Sequence, residues 1–177
     1  TQALAATKSS RRVMLYSHDT FGLGHLRRSR ALATAITAGD DEASAIILTG
    51  SPVAGRFTFP ERVDHIRLPG VTKLTDGSYV SQTLGMDIEK TTALRAGLIQ
   101  TAVEQYEPDL LIVDKEPTGF RGELLPTLEW LSHRGHTRTV LGLRDVLDEP
   151  ELLAEEWARK GAIEATESFY DEIWVYG

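Results

Sequence analysis

The sequence contains no cysteine. That excludes disulfides, a thiolate nucleophile and a cysteine-bound zinc site, and it suits a reducing compartment. Positive charge is also scarce. Asp and Glu outnumber Lys and Arg by 26 to 19, for a formal net charge of −7. This argues against broad nucleic-acid binding, so any anion site has to be local rather than a basic face. No apolar run approaches the ~18–20 residues that a membrane-spanning helix needs. No segment repeats at a fixed period. The five histidines are scattered, without the i, i+4 pair of a helical metal site. Two catalytic signatures are missing as well: the Gly-Lys-Ser/Thr of a triphosphate-binding loop and the Gly-x-Ser-x-Gly nucleophile elbow.

What is there is ordinary for a folded domain. Of 177 residues, 41% are hydrophobic and 25% charged, which is enough for one domain with its own core. Residues 1–10 lack a signal-peptide core and read as a disordered leader. Residues 11–177 then alternate between two periodicities. Short apolar runs at 13–17, 45–49, 63–68, 110–113, 139–143 and 172–176 read as strands. Residues 24–38, 88–106, 124–132 and 151–170 read as helices, the last broken at Gly161. On the long helix Leu94, Leu98, Ala102 and Tyr106 form one stripe, with Ile99 and Val103 beside it. Residues 70–85 read as a long polar loop, of a length more often functional than structural. Strands alternating with helices predict an α/β fold: a doubly wound parallel sheet with helices on both faces. Ligands of such sheets bind beyond the carboxyl ends of the strands. The sequence stops directly after a strand, which suggests part of a larger enzyme.

The most informative stretch is "RVMLYSHDTFGLGHLRRSR", residues 12–30. It reads as a strand, a glycine turn, and a helix that opens with Arg27, Arg28 and Arg30. Cations are disfavoured at that end of a helix, where the dipole is positive and N–H groups lack partners. The turn begins like a dinucleotide fingerprint, but the third glycine position is Arg27. The second strand ends in "LTGS" rather than in an acid that would hold a ribose. Both features weigh against a nicotinamide-dependent oxidoreductase. Gly22, Leu23 and Gly24 instead make a tight turn that sets His25 at the helix start, in the crevice. A helix amino-terminus favours the neutral imidazole, which suits a general base acting on a hydroxyl. Arg27 and Arg28 become reasonable if the site takes a phosphate, diphosphate or carboxylate.

"SHDTFGLGHLRRSRALA" resembles the amino-terminal glycine-histidine motif of GT-B glycosyltransferases, notably the MurG-type peptidoglycan N-acetylglucosaminyltransferases and related predicted glycosyltransferases. Gly22, Gly24 and His25 match position by position. Leu23 stands where those relatives usually have a second adjacent glycine, and Arg27-Arg28 replace a more apolar continuation. The resemblance implies a Rossmann-like, acceptor-side amino-terminal domain, with a carboxyl-terminal donor-binding domain absent from this chain. It implies transfer of a sugar from a UDP- or GDP-linked donor to an acceptor sugar, glycolipid or other hydroxyl compound. It also implies a hexosyltransferase that is inactive as this fragment, with His25 as general base and residues 70–85 closing over the acceptor. No Asp-x-Asp pair is present, and no bound metal is implied. The implied location is cytoplasmic, with approach to the inner face of the membrane where the acceptor is lipid-linked.

The remaining candidates lie on neighbouring loops. Asp114, Lys115 and Glu116 follow the cleanest strand, where charge is costly unless paired. Asp114 could orient His25 or an acceptor hydroxyl, or cap a turn. Arg144 and Asp145 follow the next strand. His18 is a second candidate base, ranked below His25, and Asp19 or Glu116 could pair with the arginines. Trp130, Trp157 and Trp174 read as core. A stand-alone binding or scaffold module is the non-enzymatic alternative.

Overall fold

A computed structural model describes residues 11–19, 23–144, 157–158 and 161–176. In chain order its elements are β1 (Arg12–Ser17), α1 (Gly24–Gly39), β2 (Ser44–Thr49), β3 (Val63–Arg67), β4 (Val71–Lys73) and β5 (Tyr79–Ser81). Then follow α2 (Ile88–Tyr106), β6 (Leu110–Asp114), α3 (Leu125–Arg134), β7 (Arg138–Arg144), α4 (Ala162–Phe169) and β8 (Glu172–Tyr176). The leader at residues 1–10, Gly22, Asp145 and most of the first part of the 151–170 helix lie outside the described residues.

Six strands form one sheet in the order β3-β2-β1-β6-β7-β8, and every adjacent pair is parallel. Numbered within this sheet alone, the order is 3-2-1-4-5-6, that of the doubly wound Rossmann fold. The chain therefore has the Rossmann-like α/β architecture expected from its sequence. A central parallel strand is covered on both faces, so it is apolar without alternation. Residues 13–16 of β1 and 111–113 of β6 are all buried. Alternate strand residues feed two cores. Val13, Leu15, Ile47, Ile112 and Val140 pack with Leu26 and Ala33 of α1. Met14, Tyr16, Leu48, Leu111, Val113 and Leu141 pack with Ile99 and Val103 of α2 and Leu128 and Leu131 of α3. Trp130 and Trp157 pack against the second core and Trp174 against the first, each partly buried.

The polar segment 70–85 is not a loop throughout. It contains the antiparallel β4–β5 hairpin. Its turn is closed by Leu74 N–H to the Ser78 carbonyl at 2.8 Å and by Asp76 Oδ1, which accepts from the Ser78 N–H and hydroxyl at 2.9 and 2.6 Å. Aspartate bonding two residues ahead supplies the turn that simple polarity did not reveal. The long helix also faces the core differently from the Leu94 stripe. Thr91, Arg95, Ile99 and Val103 are buried, while Leu94 and Leu98 are 40% and 41% exposed. The helix is turned because Arg95, an unlikely core residue by composition, finds a fully buried partner.

Candidate active site

The sheet reverses its winding between β1 and β6, and an open crevice forms at such a switch point beyond the carboxyl ends of the strands. Three of the sequence candidates meet there. His25, the second residue of α1, is carried back over the end of β1. Asp114 is the last residue of β6. The His25 Nδ1 lies 2.7 Å from Asp114 Oδ2. Arg28, one turn along α1, donates from Nη1 to the other oxygen, Asp114 Oδ1, at 2.6 Å. The Asp114 side chain is only 6% exposed, whereas those of His25 and Arg28 are 24% and 21% exposed. A carboxylate accepts only, so the Nδ1 position carries the proton. In the neutral ring Nε2 then keeps the lone pair.

The local sequence explains how α1 presents this edge. Leu23 occupies the N-cap, which makes no side-chain hydrogen bond, and the first turn holds no acid. Gly24 and Arg27 are exposed. Arg30 is diverted away, donating to the Thr58 carbonyl at 2.8 Å and lying over the Phe57 ring. The three arginines thus have three fates, and only Arg28 joins the pair. Beyond β6, Lys115 is exposed in a left-handed conformation, φ 69°, with its N–H bonded to the Gly142 carbonyl. Glu116 is half-buried, and its N–H bonds the Asp114 carbonyl at 2.9 Å. Arg144 ends β7, exposed, in register with Tyr176 of β8.

His18 and Asp19 follow β1 directly. The His18 ring lies 5.7 Å from that of His25, centroid to centroid. Burial, reinforced by the nearby His25, Arg95 and Lys115, pushes the His18 pKa down to about 3. His18 is therefore neutral across the ordinary pH range. Asp19 is buried in a left-handed conformation, φ 44°. Its Oδ2 accepts from the Ser17 hydroxyl at 2.5 Å and from the Thr49 hydroxyl. Burial raises its pKa, against those two bonds. Gly50, in the "LTGS" end of β2, lets the chain pass His18: a Cβ there would stand 2.2 Å from the His18 carbonyl oxygen.

Behind the crevice lies a cluster that the sequence reading did not anticipate. Arg95 donates from Nε and Nη2 to the two oxygens of Glu123 at 2.6 and 2.7 Å, and from Nη1 to the Pro69 carbonyl at 2.6 Å. The Tyr16 hydroxyl donates to Glu123 Oε1 at 2.5 Å and accepts the Phe120 N–H at 3.0 Å. Both charged side chains are fully enclosed. Burial works against the arginine cation, and Glu123 more than offsets it, so the pKa of Arg95 is raised. Glycine inside a strand or at its end is the one sequence signal that points this way, because it marks close approach. Gly50 carries it here, since a Cβ there would stand 3.2 Å from Arg95 Nη1.

Among the described residues no group of three or more His, Asp or Glu is placed to hold a metal ion. No described helix is long and apolar enough to cross a membrane.

No protein-family model and no curated protein matches the sequence. Two solved structures are similar to it in fold. One is a UGT transferase from Siraitia grosvenorii in complex with UDP, 14% identical over 75% of this chain and 28% of that one, with a TM-score of 0.48. The other is assigned as a UDP-N-acetylglucosamine 2-epimerase from Listeria monocytogenes, 11% identical over 95% of this chain and 40% of that one, with a TM-score of 0.51. This chain thus spans less than half the length of either. The second likeness shows that this chain shares a Rossmann-like α/β architecture with that protein.

Proposed function

We propose that the chain is the acceptor-side, amino-terminal domain of a GT-B glycosyltransferase, one that moves a sugar from a nucleotide-sugar to an acceptor hydroxyl. The observation that carries this reading is the His25–Asp114 hydrogen bond of 2.7 Å across the switch point of the sheet. Asp114 holds the Nδ1 proton, and Nε2 takes the proton of the acceptor hydroxyl as that oxygen attacks the sugar carbon, while the bond from that carbon to the donor's diphosphate oxygen breaks and the nucleoside diphosphate leaves with the electron pair. The imidazolium that forms is stabilised by the carboxylate already bonded to it. Arg28 keeps that carboxylate in place. Arg27, exposed at the uncapped start of α1, is the group that would meet an anionic portion of the acceptor or donor. The donor is a UDP- or GDP-linked sugar held by a further domain beyond residue 177.

The nicotinamide alternative draws no support from the site. The end of β2 presents Thr49, Gly50 and Ser51, without a carboxylate for a ribose, and Arg27 occupies the place of the third glycine. The test is an assay of the complete gene product with UDP- and GDP-linked sugars and a panel of hydroxyl acceptors. Transfer that is lost in His25→Ala, with this chain inactive alone, supports the proposal. A clear thermal stabilisation of this chain by NAD or NADP contradicts it.

A further inference from the structure

β8 lies at the edge of the sheet, and its last described residue, Tyr176, folds across its neighbour. The sequence of β7 makes this possible. Gly142 sits inside that strand, and a Cβ there would stand 2.4 Å from the Tyr176 hydroxyl and 2.8 Å from its ring atom Cε2. Any other residue would displace the ring. Seated on this bare stretch of backbone, the ring faces Arg28, whose guanidinium carbon lies 5.4 Å from its centroid. Arg28 donates to Asp114 Oδ1 at 2.6 Å, and Asp114 Oδ2 holds His25 at 2.7 Å. Burial raises the Tyr176 pKa, the Asp114 charge raises it further, and Arg28 opposes both. The three groups therefore sense one another as well as touching in sequence.

We propose that Tyr176 is a positioning residue: seated on Gly142, it holds Arg28 against Asp114 and so fixes the carboxylate that carries the His25 Nδ1 proton. The inference rests on the reading of His25 and Asp114 as the working pair. Arginine has several χ angles, so a single hydrogen bond to Asp114 leaves it more freedom than a bond and a ring together. A ring on one face of the guanidinium removes that freedom, and cation–π attraction adds to the restraint. The other ionisable groups around the pair are His18 and Asp19 beyond β1 and Lys115 beyond β6. His18 and Asp19 act on His25 and Asp114 directly, and each variant below leaves all three of these groups in the sequence.

The experiment is imidazole NMR on this chain as it stands, with His25→Gln to assign the signal. The hydrogen-bonded His25 Nδ1 proton gives a protected downfield resonance, and its exchange rate reads how firmly Asp114 holds it. Tyr176→Leu is expected to speed that exchange roughly two- to fivefold, the equivalent of one cation–π contact. Tyr176→Phe keeps the ring and is expected to preserve the wild-type rate. Gly142→Ala lifts the ring without altering it and is expected to behave like Tyr176→Leu, which covers the case in which the leucine variant unfolds β8. Unchanged exchange in Tyr176→Leu or, where that variant unfolds, in Gly142→Ala overturns the inference. Equal losses in Tyr176→Phe and Tyr176→Leu overturn it too, because the hydroxyl and not the ring would then be responsible. A missing His25 resonance in the wild type would overturn the pair itself. Failure of sugar transfer, by contrast, would leave these exchange rates untouched.

Discussion

Two clusters in this molecule share one plan. In each, a single carboxylate receives an arginine on one side and a ring-borne donor on the other. Glu123 takes Arg95 and the Tyr16 hydroxyl. Asp114 takes Arg28 and the His25 Nδ1 proton. They differ in enclosure and in what the ring can do next. Arg95 and Glu123 have no exposed side-chain surface, and burial, with the adjacent Glu123, holds the Tyr16 pKa well above its usual value. That cluster joins β1, α2, the 120–122 turn and Pro69, and it has no chemistry left to offer. His25 remains about a quarter exposed, and Asp114 engages only its Nδ1. Sealed, the arrangement fastens elements together; opened at one edge, it leaves the ring available for the base role proposed for it.

The largest effects should come from breaking the sealed cluster. Glu123→Ala leaves the Arg95 cation buried without its partner, and it should destabilise the fold by about 3–5 kcal/mol in urea titrations. Replacing both residues with apolar ones of similar volume should recover much of that loss. His25→Ala should show the converse pattern: stability within ~1 kcal/mol of wild type, and transfer by the complete enzyme reduced ~10²–10⁴-fold. Asp114→Asn lies between them. It leaves Arg28 without a counter-charge, costing about 1–2 kcal/mol, and lowers turnover ~10²-fold or more, because the imidazolium loses its stabilising charge.

The smallest effect is a pH dependence. His18 titrates near 6.5 when unfolded and at about 3 in the fold. Between those values the unfolded chain binds the extra proton, so stability falls as pH drops from the upper value towards the lower. At about pH 5.5 this amounts to ~1 kcal/mol, and His18→Asn should remove that part of the slope. Asp19 acts with the opposite sign. Its raised pKa lets the native state take up a proton first as pH falls, which partly offsets the loss from His18 at the acid end.

Legibility in the sequence followed the physics of each element. Buried parallel strands are apolar on both faces, so β1 and β6 stood out, and α2 stood out by its apolar stripe; the structure adds its cap, Asp87, whose side chain accepts from the N–H groups of Glu89 and Lys90. His25 and Arg28 could be named from their place at the start of a helix and Asp114 from its place at a strand end, but their meeting depends on β1 and β6 lying side by side, which is a property of strand order. Three features were hidden. The Arg95 face of α2 was missed because a charged residue enters a core only with a partner, and Glu123 lies far along the chain. The β4–β5 hairpin was masked by its polarity. Tyr176 could be linked to Arg28 only through the gap at Gly142, which two strands must pair to create.

The central claim is that the open cluster acts and the sealed one holds. The most direct measurement is nucleotide-sugar turnover by the complete gene product carrying His25→Ala, at equal concentrations of folded protein. The account predicts a loss of ~10²–10⁴-fold with the melting temperature essentially kept. Turnover equal to wild type would contradict it and leave the Asp114 pair as a second structural fastening.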